Sequence, residues 1–369
     1  LGLLGFFAHP ALRSEVKPLA NYGLMDQQLA LDWVQRNIAA FGGDPDNVTI
    51  SGESSGGGSV LLHVVAPNSA GKFQHAIDMS GAAVALRFPT FGAPKPLEWT
   101  EKNGEAFSEA VGCAGKSDAA TLACLRALPV ATVLAKQKPY LISQVVLDGK
   151  VLPLHPADAF RTGQFNRVTL INGTTRDEGA FFAGFVENET GVPMDEAGYA
   201  TTMRGYFGTH ADAVMAQYPV NRYATPSDAM AAAVTDMLFA CPARAINRWA
   251  SVHTPTYVYE FSDRTAPSYL KPTSFALGAA HTFELAYLFP GFHGGAGIPV
   301  TLNPMQSQLA KQMVRLWTTA DQATDGKTLW QRYQPAQDNF LNLALPQARV
   351  STGFGEGHQC GFWDRTGVY

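Results

Sequence analysis

The pattern Gly-Glu-Ser-Ser-Gly at positions 52–56 constrains this chain more than any other short stretch. A strand-like run, residues 47–50, precedes it, and a helix-like run, residues 57–65, follows it. A serine between two glycines at such a junction is typical of a nucleophile elbow, where bulky neighbours would clash with the strand and helix. The pattern predicts that Ser54 is an exposed nucleophile and that the backbone N–H of Ser55 points at an oxyanion. A glycine-rich loop that fits by chance is the alternative, because the chain has 35 glycines.

Residues 26–41, upstream of this pattern, have the periodicity of an amphipathic helix that ends at the two glycines of positions 42–43. The apolar stripe of this helix consists of Leu29, Trp33, Ile38 and Phe41. Helix, loop, strand, sharp turn and helix follow one another in the order that an α/β-hydrolase uses. The order favours an α/β fold.

Over positions 21–54 the chain resembles the type-B carboxylesterase and cholinesterase family. The ordered matches are Asn-Tyr-Gly at 21–23, Asp-Gln at 26–27, Trp-Val at 33–34, Asn-Ile at 37–38, Phe-Gly-Gly-Asp-Pro at 41–45 and Gly-Glu-Ser at 52–54. The resemblance implies an α/β-hydrolase whose central, mostly parallel sheet is flanked by helices. It also implies a serine carboxylesterase that forms an acyl-enzyme on Ser54 with a small-molecule ester. The family usually has alanine where this chain has Ser55, a difference that leaves the backbone N–H unchanged.

A serine nucleophile requires a histidine base and an acid, which α/β-hydrolases supply in the order serine, acid, histidine. Among the chain's 9 histidines, the residues alone favour His281 and His358, since each follows an apolar stretch late in the chain. The resemblance selects His281, because His-Thr-Phe-Glu at 281–284 is similar to the family's catalytic segment.

The acid is expected after a buried strand, residues 168–171, which the Asn-Gly pair at 172–173 is predicted to end. The next loop carries Asp177 and Glu178, and on chemistry alone either carboxylate could orient the imidazole. The segment 173–179 resembles the family's acid loop, in which the glutamate acts. The resemblance therefore assigns Glu178.

The resemblance also implies supporting roles for residues that could equally be ordinary polar or core positions. Those expected to support the imidazole are Glu53, Ser80 and Glu284, and those expected to line the substrate pocket are Phe181 and Phe182. A carboxylate beside the nucleophile would favour an imidazolium, which is a physical reason to single out Glu53. Residues 140–149 resemble the family's acyl-pocket strand.

The glycine-rich loop Gly-Phe-His-Gly-Gly at 291–295 is similar to a fragment of the family's oxyanion loop. That loop precedes the nucleophile in hydrolases, whereas this one follows His281, so we interpret it as a turn. Residues 1–7 resemble the family segment that follows a central strand. The resemblance thus implies that the N-terminal strands and oxyanion glycines lie outside this chain, and we expect an N-terminal fragment of the same enzyme as a partner.

Composition sets the broad class. With 369 residues, 46% hydrophobic and 16% charged, the chain is long enough for a large core. We expect one catalytic domain, residues 1–369, because the predicted site residues are spread along it. The net charge of −4 without a basic run argues against nucleic acid, and no apolar run in the sequence suggests a membrane span. No metal or organic cofactor is implied.

Four cysteines bear on the compartment. The resemblance pairs Cys113 with Cys124 and Cys241 with Cys360, and two such bridges predict an exported protein, secreted or periplasmic. Four buried thiols are the alternative. Two other functions also stay open: a catalytically inactive adhesion or binding module, and an acyltransferase of the same fold that passes the acyl group to an alcohol.

Overall fold

The computed structural model describes residues 1–15, 20–87, 92–140, 145–295, 299–319 and 330–369. The strands in these ranges are β1 (Thr49–Glu53), β2 (His75–Met79), β3 (Lys95–Pro96), β4 (Val146–Leu147), β5 (Thr169–Thr175), β6 (Thr256–Phe261), β7 (Phe340–Leu343) and β8 (Arg349–Ser351). One sheet has the order β1-β2-β5-β6-β7-β8, and β3 pairs with β4 separately. All neighbours are parallel except β7 and β8. The sheet is therefore mostly parallel, as expected.

Helices fill the connections between these strands. The α-helices are α1 (Leu3–Phe6), α2 (Tyr22–Asn37), α3 (Ser55–Val65), α4 (Leu97–Ala110), α5 (Asp118–Arg126), α6 (Val130–Lys136), α7 (Pro156–Thr162), α8 (Glu178–Thr190), α9 (Glu196–Phe207), α10 (Ala211–Gln217), α11 (Pro226–Val234), α12 (Cys241–Ala250), α13 (Leu285–Leu288), α14 (Pro304–Thr319), α15 (Phe354–Gly357) and α16 (Cys360–Thr366). Short 3₁₀ turns are Pro10–Ser14, Ile38–Phe41, Pro67–Ser69, Ala82–Ala85, Lys138–Tyr140, Gly208–His210 and Val220–Arg222. A π-helical segment, Thr235–Ala240, joins α11 to α12.

Both faces of the parallel sheet are buried, because side chains alternate between them along each strand. Ile77 and Ile171 belong to the larger core, which the helices α8 to α12 help to build. Their neighbours Ala76 and Leu170 point to a second core on the other face, formed with α3 and α7. Layers of helix therefore cover the sheet on both sides, and the carboxyl ends of the strands form one edge.

Strand β5 runs on to Thr175, so the prediction that the Asn-Gly pair ends it is wrong. Gly173 is an ordinary strand residue. A β-carbon there would lie 2.3 Å from the ring of Tyr259 on β6. The glycine is required by the close approach of that ring rather than by a turn. The longer strand carries the chain directly to the acid loop.

Helix α2 begins before residue 26, and its apolar stripe lies mostly on the protein surface. Leu29 and Trp33 of α2 are 61% and 48% exposed, and Phe41, which lies in the 3₁₀ turn after α2, is 73% exposed. The side of α2 that is buried presents Gly23, Leu24 and Gln28. Because β1 is the edge strand next to this region, the described part of the chain leaves an apolar face and a strand edge uncovered together.

One continuous helix, Pro226–Ala250, passes through the interior. It spans 25 residues with a mean hydropathy of 1.3 in its most apolar window, so length and composition would allow it to cross a membrane. The sequence pattern did not reveal this length. Within the fold, 89% of that window is buried. A second pair, α5 with α6, meets the same criterion only if counted as one span, and it is bent by 99°.

The cysteines form two bridges, Cys113–Cys124 and Cys241–Cys360, with sulfur–sulfur distances of 2.03 and 2.00 Å. They are the pairs that the resemblance implied. The first closes a loop between α4 and α5. The second fastens the start of α12 to the start of α16, and it thereby holds the C-terminal region on the π-helical segment.

Candidate active site

Ser54 lies between β1 and α3, at the carboxyl edge of the sheet. Its backbone has φ 56° and ψ −117°, a conformation that non-glycine residues rarely adopt. Two hydrogen bonds hold this turn: Ser54 N donates to Met79 O at 2.8 Å, and Gly58 N donates to Ser54 O at 2.8 Å. The serine is thus raised on a strained strand-to-helix turn, as the motif predicted.

The glycines around this turn have unequal roles. A β-carbon at Gly52 would lie 2.3 Å from the carbonyl carbon of Gly56, so a side chain at position 52 would clash with the helix backbone. At Gly56 a β-carbon would meet no described atom within 4 Å, so the expectation of a clash on both sides is wrong there. The clash on the helix side occurs at Gly57 instead, where a β-carbon would lie 2.3 Å from Oδ1 of Asp78.

Three side chains from distant parts of the sequence meet in a line. Nε2 of His281 lies 2.9 Å from Oγ of Ser54, and Nδ1 lies 2.5 Å from Oε2 of Glu178. His281 and Glu178 are buried. This is the arrangement in which an imidazole can take the serine proton while a carboxylate fixes its orientation.

The neighbouring carboxylates, Asp177 and Glu178, point in different directions. Glu178 uses its second oxygen to accept hydrogen bonds from Ser80 Oγ at 2.5 Å and from Thr175 N at 2.7 Å. Asp177 instead makes a two-pronged ion pair with Arg264, at 2.7 and 2.9 Å. Of these two acids, Glu178 alone contacts His281. Ser80, expected to support the imidazole, contacts Glu178.

An aromatic wall surrounds His281. The ring centroids of Phe181, Phe182 and Phe239 lie 5.8, 5.4 and 4.9 Å from that of the imidazole. The first two were expected to line the substrate pocket, but they pack against His281 and do not line the cavity beside Ser54. Phe239, which comes from the π-helical segment and is buried, was missed. The signal available for it was weak, since one phenylalanine in an apolar helix resembles any core residue.

Buried carboxyl groups lie behind this site. Oε1 of Glu53 is 3.3 Å from Nε2 of His281. Burial raises the pKa of Glu53 far above its usual range, and the nearby Glu284 and Glu178 add to the effect. The group is therefore neutral near pH 7, and the negative potential that we expected beside the nucleophile is absent. Burial likewise raises the pKa of Glu284.

Asp78, the fourth residue of β2, was missed by the sequence analysis. It is fully buried beneath α3, and burial raises its pKa well above the ordinary value. Its signal was a single acid inside the apolar run of residues 75–79. Among these acids, Glu178 is the one that is hydrogen-bonded to Nδ1 of His281.

His358, the other histidine favoured by the residues alone, lies elsewhere. It is held between Asp236 at 2.9 Å and Glu260 at 2.7 Å, and it is buried. In the glycine-rich loop at 291–295, Phe292 packs against Tyr269, whose hydroxyl is hydrogen-bonded to Thr282. Neither His358 nor that loop lines the cavity beside Ser54.

A cavity of about 250 Å³ opens beside the nucleophile. Its polar lining includes Ser54 and Ser55, and its apolar lining includes Val145, Leu238 and Phe239. Val145 belongs to the segment expected to form an acyl pocket, of which residues 141–144 lie outside the described residues. Ser55 begins α3, so its N–H lies at the positive end of a helix dipole. Within the described ranges, no group of three or more His, Cys, Asp or Glu side chains could hold a metal ion.

Comparisons with known proteins identify the family. The model of the carboxylesterase family matches residues 1–363. The chain is 30% identical to acylcarnitine hydrolase of Mus musculus and 31% identical to cocaine esterase of Homo sapiens, in both cases over 99% of its own length and 65% of theirs. It is also 31% identical to acylcarnitine hydrolase of Rattus norvegicus, over 86% of this chain and 56% of that enzyme. The chain thus spans less than two thirds of these relatives. By this match and by its fold, the chain belongs to the carboxylesterase family.

Proposed function

We propose that this chain carries the catalytic machinery of a serine carboxylesterase. The observation that supports it most directly is the line of hydrogen bonds from Ser54 through His281 to Glu178, at 2.9 and 2.5 Å. The relatives are named as hydrolases or esterases, which agrees with the proposal. An inactive adhesion module would not require Ser54, His281 and Glu178 to lie within hydrogen-bond distance of one another.

The reaction follows from the geometry. His281 Nε2 takes the proton of Ser54 Oγ as that oxygen attacks the ester carbonyl, and Glu178 stabilises the imidazolium that forms. The imidazolium then gives its proton to the departing alcohol, which leaves an acyl group on Ser54. A water molecule, deprotonated by His281, attacks this acyl-enzyme, releases the carboxylic acid and restores the serine.

Replacement of the nucleophile tests this proposal. Ser54→Ala should lower kcat for ester hydrolysis by about 10⁴ to 10⁶, because loss of one member disables a catalytic unit. The measurement is turnover of a chromogenic ester by wild-type and variant protein at equal folded concentration. A variant that retains more than about a tenth of the wild-type rate, a deficit of less than about 1.4 kcal/mol, would disprove the assignment.

The cavity suggests the class of ester. At about 250 Å³ it is smaller than the roughly 300–1,000 Å³ of pockets for drug-sized ligands, and its wall is apolar near Leu238 and Phe239. We therefore propose that it accepts a short, uncharged acyl or alkyl group. A series of p-nitrophenyl esters of increasing chain length should show kcat/KM falling for long chains. A preference for the longest chains would contradict this.

We also propose that a further polypeptide segment completes the oxyanion site. An oxyanion is usually held by two or three donors, and Ser55 N–H is the one that the elbow supplies. The uncovered edge of β1 and the exposed stripe of α2, with Leu29 and Trp33, could receive such a segment. Mass spectrometry of an active preparation under denaturing conditions should then reveal polypeptide beyond the 369 residues. Ordinary turnover by these residues alone would refute the proposal.

Two disulfides are compatible with an extracellular protein, and we propose export, either by secretion or to a periplasm. Fractionation of the native host should place the protein outside the cytoplasm. Recovery of the protein from the cytoplasm with four alkylatable thiols would contradict this localisation.

A further inference from the structure

His358 lies at the centre of a buried ion cluster behind the acid loop. Its Nδ1 is 2.9 Å from Asp236 Oδ1, and its Nε2 is 2.7 Å from Glu260 Oε2. Arg176 lies against the same cluster, with Nη1 at 3.2 Å from Glu260 and 3.3 Å from His358 Nε2. Tyr218 donates a hydrogen bond to Asp236 at 2.7 Å. Two cations thus oppose two carboxylates.

This cluster is connected to the acid loop on one side. Arg176 stands two residues before Glu178, and its backbone N–H is bonded to Phe261 O at 2.8 Å on β6. Glu260 belongs to the same strand and pairs in register with Thr174 of β5. The arginine therefore fastens the loop that carries Glu178 to its neighbouring strand.

On the other side the cluster is connected to the aromatic wall. Asp236 belongs to the π-helical segment Thr235–Ala240, which also carries Phe239 against His281. Thr235 Oγ1 accepts a hydrogen bond from Gly179 N at 2.8 Å, so the segment also touches the residue after Glu178. π-Helical turns inside α-helices often lie at functional sites.

We propose that His358 is a positioning residue for Ser54, His281 and Glu178: from one buried point it fixes both the loop that carries Glu178 and the segment that carries Phe239. The inference rests on the proposed esterase activity for its kinetic test. His358 touches neither the substrate cavity nor the reacting atoms. It acts through Asp236 and through Glu260, to which Arg176 also donates.

If His358 has this role, kcat/KM should depend on the protonation of its imidazole. Burial alone would lower the pKa of His358, but hydrogen bonds and charges from Asp236 and Glu260 outweigh it and raise the pKa to about 9. Glu260 shows the matching effect: burial opposes ionisation, yet His358 and Arg176 lower its pKa to about 2. Loss of the His358 proton would leave the cluster with one excess buried negative charge. The groups that face His358 are Asp236, Glu260 and Arg176.

The kinetic test uses His358→Gln and Arg176→Met in the active enzyme. Both should lower kcat per titrated active site by about 10- to 100-fold, because small displacements of catalytic groups are costly, and should leave KM nearly unchanged. Wild-type kcat/KM should fall above about pH 9, and that alkaline limb should be absent in His358→Gln. Arg176 is partly exposed, so its variant should fold even if the buried His358→Gln does not.

Asp177→Asn is the matched control, since Asp177 lies on the same loop but pairs with Arg264. It should change kcat by less than about fivefold, because Arg264 is largely exposed and the amide keeps an oxygen that can accept the hydrogen bond from Ala279 N. A readout independent of turnover is the downfield proton resonance of His281 Nδ1–H, which should shift in Arg176→Met and stay in place in Asp177→Asn. An unchanged resonance and unchanged kcat in Arg176→Met would overturn the inference. Absence of hydrolysis by the unaltered enzyme would instead refute the proposed function.

Discussion

At the scale of single residues, the adjacent acids Asp177 and Glu178 differ in the groups that they contact. Glu178 is buried and hydrogen-bonded to His281, Ser80 and Thr175. Asp177 instead pairs with Arg264 and accepts a hydrogen bond from Ala279 N. The backbone turns between them at the start of α8, so neighbours in sequence face opposite sides of the loop. A carboxylate that orients an imidazole and one that ties a loop should respond differently to the same chemical change.

The amide variants measure this difference. Glu178→Gln should lower kcat by about 10³ to 10⁴, because an amide in place of the carboxylate no longer fixes the imidazole tautomer or stabilises the imidazolium. Asp177→Asn should cost less than about 1 kcal/mol in transition-state stabilisation, since its partner is largely exposed. Steady-state kinetics on both variants provides the comparison. The reverse ranking would assign the acid to Asp177.

Sequence alone could single out a site residue where that residue belongs to an ordered local pattern. Ser54, Glu178 and His281 each lie in such a pattern, and the structure brings the three together. Phe239 and Asp78 lie in apolar runs, where nothing local marks them. The charge state of Glu53 could not be predicted from sequence, because it depends on how deeply the fold buries the group and on which other acids lie near it.

At the scale of elements, the strand-to-helix turn depends on close backbone contact at one point. Gly52→Ala would place a methyl group 2.3 Å from the backbone of Gly56, so the strand and helix would have to separate. Overpacking of this kind costs about 1–3 kcal/mol, and the variant should also lose most of its activity because Ser54 would move.

Gly56→Ala is its matched control, because the new methyl group would meet no described atom within 4 Å. In a helix, alanine is favoured over glycine by about 1 kcal/mol, so this variant should be at least as stable as wild type. Urea unfolding of both variants tests the pair. Equal destabilisation by the two substitutions would show that the turn is not limited by this contact.

Element boundaries were predicted less well than element types. The sequence pattern predicted that an Asn-Gly pair ends β5, but the strand continues through Gly173. A glycine is required there because the ring of Tyr259 occupies the space that a side chain would fill. In α2 the periodicity was read correctly as helical, yet Leu29 and Trp33 face outward. Periodicity identifies a face, and only tertiary structure shows what covers it.

At the scale of the whole molecule, the two disulfides differ in the length of chain that they close. The separations are 11 residues for Cys113–Cys124 and 119 for Cys241–Cys360. In the chain-entropy model they contribute upper values of about 3 and about 5 kcal/mol. Replacement of Cys241 and Cys360 by alanine should therefore lower stability more than the same change at the short bridge, as measured by thermal unfolding. The opposite order would contradict the model.

Stability should decrease as pH rises from about 6.5 to 9. His358 has a folded-state pKa of about 9 against 6.5 when unfolded, so its contribution is complete below pH 6.5 and lost as the pH rises through 9. The buried acids Glu53 and Glu284 act in the same direction, since unfolding lets them ionise. Each proton difference changes the free energy of unfolding by about 1.4 kcal/mol per pH unit.

Urea midpoints at pH 6.5 and pH 9 measure this effect, and His358→Gln should show a smaller difference between them. A wild-type midpoint that rises over this interval would contradict the assignment of charge in the buried cluster. The same comparison at Arg176→Met reports whether the cluster behaves as one unit.

The site residues lie far apart along the chain, so the site should form late in folding. Ser54 and His281 are 227 residues apart, and Glu178 lies 103 residues before His281. Strands β1, β2, β5 and β6 join side by side in parallel, so every pairing must wait for a long crossover to close. The three groups can meet only after these closures are complete. During refolding, the helical circular dichroism signal should therefore recover early. Ser54 should react with a serine-directed reagent only in the slowest phase.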